Sequence, residues 1–125
     1  MRCGFPKDGL HKLGSPTEVM LDLFGFHPGD YAIVGGSWGL EGDGPHAPAA
    51  NSVPHNVIVA GPNAVAVDVM ASSIMGFEPA SLPYLPMAEK RGFGEADPDV
   101  IWIRGKDVEQ VRKIFRKPSG WGKRV

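Results

Sequence analysis

With 125 residues, 42% of them hydrophobic, and a net charge of −1, the chain has the size and composition of one soluble globular domain rather than two. Its single cysteine, Cys3, excludes an internal disulfide framework, a CxxC metal pair or a cysteine-ligated cluster held within this chain. No apolar run reaches the length of a membrane span or forms a signal-like core, so a cytoplasmic, reducing setting is the expectation.

Ser15-Pro16-Thr17-Glu18 has the form of a helix start: a serine N-cap, proline at the first helical position, and glutamate placed to close a capping box. Val19, Met20, Leu23 and Phe24 form an apolar stripe, and Gly25 is the expected stop. After the turn at 27–30, residues 31–35 read as a short buried strand. A glycine-rich segment follows, Gly35-Gly36-Ser37-Trp38-Gly39-Leu40-Glu41-Gly42-Asp43-Gly44-Pro45, and runs into the proline-containing stretch 47–54. Lack of periodicity makes this a long irregular connection, and such loops are usually functional or mobile.

Residues 55–60, apolar from Val57 to Ala60 and β-branched at 57–59, read as a short strand buried on both faces. Asn63 is placed to cap a helix over 64–75 with Gly76 at C′. A further helix is expected from Leu82 or Pro83 to Gly92, with Pro86 in its first turn. Residues 100–103 read as a third strand. Asp107 then caps a last helix carrying Val108, Val111, Ile114 and Phe115 on one face. Strands separated by helices predict an α/β fold: a layered sheet of about three short, largely parallel strands with flanking helices. The core is expected over about 15–116, with a basic tail at 117–125.

The glycine-rich segment is the leading candidate site. Glycines after a strand suit a dinucleotide fingerprint only if a helix N-terminus follows to face the phosphates. Here Pro45 and Pro48 follow instead, and Glu41 and Asp43 repel phosphate. Divalent-cation binding fits the residue types better, with Glu41, Asp43 and His46 as candidate ligands beside loop carbonyls. A solvated acidic turn explains the same residues equally well. Asp68 is the second candidate. It sits in an apolar helical pattern among small neighbours, and buried aspartates require a partner. No Ser/His/Asp elbow or Gly-Lys-Ser/Thr loop occurs.

Charge is uneven along the chain: residues 1–103 carry a net −7 and residues 104–125 a net +6. A basic tail without interleaved aromatics does not favour nucleic acid; a solvated helix face and chain end accounts for it.

Three segments together resemble a known family. Leu40-Glu41-Gly42-Asp43-Gly44-Pro45 is similar to its EG-x-GP signature. VIVAGPNAVAVDVMASSIMGF, from Val57 to Phe77, is similar to its ADPVAVDAVAARLMGF block. Pro83-Tyr84-Leu85 with 88–94 resembles its PYL-x-LAEERGLG block. The family is the one designated domain of unknown function 362, often joined to a ferredoxin-type iron–sulfur module. The resemblance implies that this chain is the C-terminal part of a larger domain, and it picks out Glu41, Gly42, Gly44, Pro45 and Asp68. Where the family has Asp-Pro before the helix, this chain has Asn63-Ala64. Two functions remain open: part of an iron–sulfur-associated enzyme with a polar or cation-binding acidic loop, or a non-catalytic interaction or dimerisation module. The corresponding partners are a missing N-terminal half, a ferredoxin-type module, or a second copy.

Overall fold

The strongest local signal, the capping box at Ser15, starts the first helix in the computed structural model, which describes residues 14–43 and 52–122. The Ser15 side chain accepts from the Glu18 backbone N–H, the Glu18 carboxylate reaches back to the Ser15 backbone, and Pro16 opens helix α1, Pro16–Phe26. Gly25 does not end the helix. It lies in the last turn, where a Cβ would come within 2.6 Å of the Phe93 ring; the helix stops at His27 instead.

Two strands follow, β1 (Ala32–Leu40) and β2 (Ser52–Gly61). They pair antiparallel, from Ala32 opposite Gly61 to Leu40 opposite Ser52. The expected sheet of three largely parallel strands is therefore wrong: among the described residues the sheet has two strands, and they are antiparallel. The reason is geometric. A parallel pair needs a crossover long enough to return the chain, usually a helix. The glycine-rich segment provides none, and its first half, residues 35–40, is itself strand. Residues 100–103 run without ladder partners, so the third strand is absent. The pair carries one bulge: between Gly36–Val57 and Trp38–Pro54, β2 has one residue more than β1. Asn56, at φ 57°, takes the left-handed conformation that asparagine tolerates.

Helix α2 (Ala64–Ile74) packs against both strands and is the centre of the core. Val65, Val67, Val69, Met70, Ser72 and Ile74 are all buried, so the helix is enclosed on more than one side. Leu21 of α1 joins it, as do Leu85 and Ala88 of helix α3 (Tyr84–Lys90). A 3₁₀ turn, Pro79–Ser81, leads into α3, and Pro86 sits in its first turn as expected. Gly76 and Gly92 both have positive φ. Each terminates its helix with paired hydrogen bonds, Gly76 N–H to Ser73 and Phe77 N–H to Ser72, then Gly92 N–H to Glu89 and Phe93 N–H to Ala88. These are Schellman ends. The last helix, α4, spans only Val108–Val111. Beyond it the chain is extended, so the expected four-residue apolar face is split: Phe115 is buried and Ile114 is exposed. No helix among the described residues is long and apolar enough to cross a membrane.

Asn63 joins two parts of this core. Its Oδ1 accepts from Ala66 N–H at 2.9 Å and its Nδ2 donates to the Phe93 carbonyl at 3.2 Å. An aspartate would keep the first bond and lose the second, because it has no donor when ionised. Asn63→Ala is expected to lower the unfolding free energy by about 2 kcal/mol, combining a lost cap with an unpaired carbonyl. Urea titration checks this; an unchanged midpoint would mean that neither bond contributes.

Candidate functional site

The acidic loop is held by the C-terminal segment. Glu41 Oε2 accepts from the Arg116 backbone N–H at 2.9 Å, and Gly42 N–H donates to the Arg116 carbonyl at 2.8 Å. Glu41 Oε1 lies 4.0 Å from the Arg116 Nε. Asp43 Oδ1 accepts from both the backbone N–H and the hydroxyl of Ser119, at 2.8 and 2.9 Å. The acidic and basic parts of the chain thus meet at this loop. The hydrogen bonds from Ser119 hold the Asp43 carboxyl below the usual carboxylate range, with the Arg116 charge a smaller contribution in the same direction.

The glycines here have a structural use. Gly42 has φ +75°, and a Cβ there would lie 3.1 Å from Arg116 Nε. A Cβ on Gly39 would come within 2.7 Å of the Phe115 ring. That ring is the anchor of the segment: it is 3% exposed and lies 5.4 Å from the His55 ring. Its backbone N–H donates to Met75 at 2.9 Å, and Lys113 N–H donates to Ile74 at 2.8 Å. His55 Nε2 and Lys113 Nζ complete the lacing, bonded to the carbonyls of Val111 and Pro54 respectively.

Asp68 belongs to a different neighbourhood. Half-buried on α2, it faces the hydroxyl of Tyr84 on α3. Burial pushes its carboxyl above the usual range, partly offset by the Tyr84 hydroxyl; burial and the Asp68 charge together raise Tyr84 to about 12. Among the described residues no hydrogen bond or ion pair joins Asp68 to Glu41 or Asp43. Comparison with known protein families, curated proteins and solved structures finds no match to this chain. The resemblance to the domain of unknown function 362 family rests on its three segments.

Gly44, Pro45 and His46 lie outside the described residues. Among the described ones, no three or more His, Cys, Asp or Glu side chains form a group able to hold a metal ion. Sequence reasoning missed Arg116, Ser119 and Phe115 as partners of the loop. The opposed charges of the two parts of the chain were the available signal for the first.

A second concave feature was not legible from motifs. A groove of about 770 Å³ runs along residues 56–61 of β2, floored by Ala66, Val67, Met70 and Ile74 of α2 and walled by residues 100–106.

Gly39→Ala is expected to cost about 1–3 kcal/mol in urea unfolding, through displacement of the Phe115 ring. A wild-type midpoint would show that the ring moves freely. The two carboxyls should respond to acid in opposite directions. Asp43, depressed in the fold, contributes stability that is lost as pH falls through its folded pKa. Asp68, raised in the fold, contributes stability at low pH that is lost as pH rises through its folded pKa. Asp68→Asn should therefore stabilise the protein at pH 7, whereas Asp43→Asn should speed amide exchange at Ser119. The reverse pattern in unfolding and exchange measurements would contradict both assignments.

Proposed function

We propose that this domain is a protein-association module whose β1–β2 sheet and adjoining groove receive another polypeptide. The observation that carries this reading is the bare face of the sheet. Ile33, Trp38 and Ile58 are 69%, 68% and 74% exposed and lie on the side turned away from α2. Leu40 and Tyr31 are exposed beside them. Contiguous apolar surface of this kind marks interaction sites in soluble proteins. A lone two-stranded sheet is also marginal in water without further strands or packing. One face here packs on α2; against the other, no element among the described residues is packed.

The alternative is a polar or divalent-cation site in an iron–sulfur-associated enzyme. It draws support from the three resembling segments. Against it, Glu41 and Asp43 would have to exchange the backbone and hydroxyl donors of 116–119 for a cation. A C-terminal portion docked to the remainder of a larger domain would use the same apolar face as the association module.

Light scattering across a concentration series tests the reading, comparing the wild type with an Ile33→Lys, Ile58→Lys double variant. Association by the wild type, weakened at least ~10-fold in the variant, is expected for an apolar contact of two such side chains. Two well-behaved monomers at the highest concentration, with no binding of an apolar dye to the wild type, would sink it.

A further inference from the structure

We propose that the groove beside β2 receives one extended segment of a partner protein, apolar at alternate positions, basic at its N-terminal end and acidic at its C-terminal end. This rests on the association reading above and names the kind of partner.

Both long walls of the groove lack ladder partners. β2 pairs with β1 on one side only, so its other edge presents unpaired backbone groups along residues 57–61. Among the described residues, no backbone hydrogen bond ties 101–104, the extended opposite wall, to another segment. Natural sheets blunt open edges with charge, proline or bulges. Residues 52–61 contain no lysine, arginine, aspartate or glutamate, and Pro54, Pro62 and the bulge at Asn56 interrupt only the ends.

The space is that of a single strand. Six extended residues span ~20 Å at ~3.3 Å each, so 770 Å³ leaves ~40 Å² of cross-section, close to the ~4.8 Å by ~10 Å of one pleated strand. A partner's sheet edge would bring a second strand onto residues 100–106, so the occupant is an isolated segment. The floor then fixes its pattern. Directly opposed residues of neighbouring strands share a face. Three alternate residues of the segment, opposite Val57, Val59 and Gly61, therefore turn toward the apolar floor that α2 provides.

Charge sets the direction. The Asn63 side chain donates to the Phe93 carbonyl at 3.2 Å, which places Glu95 at the Gly61 end of the groove. At the other end, His55 Nε2 donates to the Val111 carbonyl at 2.9 Å. The chain between runs opposite to β2 and carries Arg104 and Lys106 toward the Asn56 end. Among the described residues these three are the charged ones lining the groove, which is acidic at one end and basic at the other. A segment antiparallel to β2, the pairing that is stronger per residue, enters beside Glu95 and leaves beside Arg104 and Lys106. It meets both charges with a basic residue at its start and an acidic one at its finish. Ladder bonds give such a complex affinity, and the alternate side chains and end charges give it selectivity.

The probe is the end-blocked, fluorescently labelled peptide Lys-Val-Thr-Val-Thr-Val-Asp, titrated with the full chain by fluorescence anisotropy. Saturable binding is expected. Exchanging the end charges, as Asp-Val-Thr-Val-Thr-Val-Lys, should weaken it ~10-fold or more by opposing like charges. Proline in place of the central valine should weaken it ~10-fold or more by breaking the ladder. The Arg104→Glu, Lys106→Glu variant, altered only at exposed side chains, should lose the preference for the first peptide over its charge-exchanged form. The bound peptide should protect amides of both 57–61 and 101–104 from exchange. No saturable binding at millimolar peptide, or equal binding of all three peptides, would overturn the inserted strand. Association through Ile33 and Ile58, read separately by light scattering, would then still stand. Protection of 57–61 that rises with protein concentration alone would give the groove to a second copy and overturn the proposal. A wild type that binds no peptide and stays monomeric would remove both readings.

Discussion

The enclosure of α2 is the constraint on which the other elements depend. A helix buried along most of its length must have its end groups satisfied by protein, since little water reaches them. At the N-terminus Asn63 caps the helix and ties it to the turn after α3. At the C-terminus the Gly76 turn takes two carbonyls, and the extended chain after α4 takes two more through Lys113 and Phe115. This last pairing fixes where the C-terminal segment runs. Once Phe115 is seated against Gly39 and His55, Arg116 and Ser119 are delivered to Glu41 and Asp43.

The glycine-rich acidic loop therefore has two physical explanations that sequence inspection merges. Glycine after an apolar run reads as a loop because it weakens strands and permits unusual angles. Gly36 and Gly39 nevertheless lie in strand β1, and each is a place of close approach, to Val57 and to Phe115. Among the described glycines of this segment, only Gly42 is needed for its backbone angle. The same logic explains what was legible: the capping box, the Asn63 cap and the glycines at 76 and 92 act within a few residues, so local sequence determined them. The strand pairing joins residues 12 to 29 positions apart, from Leu40–Ser52 to Ala32–Gly61, the path of 112–119 depends on contacts 56 to 76 positions away, and no short-range pattern encodes them.

The carboxylates separate along the same line. Glu41 and Asp43 look like ligands from composition, but their donors are already supplied by the chain, and for Asp43 the hydrogen bonds from Ser119 lower the carboxyl's pKa as a bound cation would. Asp68 is a half-buried carboxylate in a largely buried apolar helix. Its partner, Tyr84, comes from another element, and burial dominates its ionisation. The candidate residues were thus identifiable one by one, whereas their division into two neighbourhoods was not.

What remains unsatisfied in the fold is concentrated on one element. Among the described residues, β2 has α2 on one face, no element on the other, β1 along one edge and the groove along the other edge. A strand with two unfilled sides contributes less than its apolar content allows, because its exposed isoleucine and unpaired backbone remain in water.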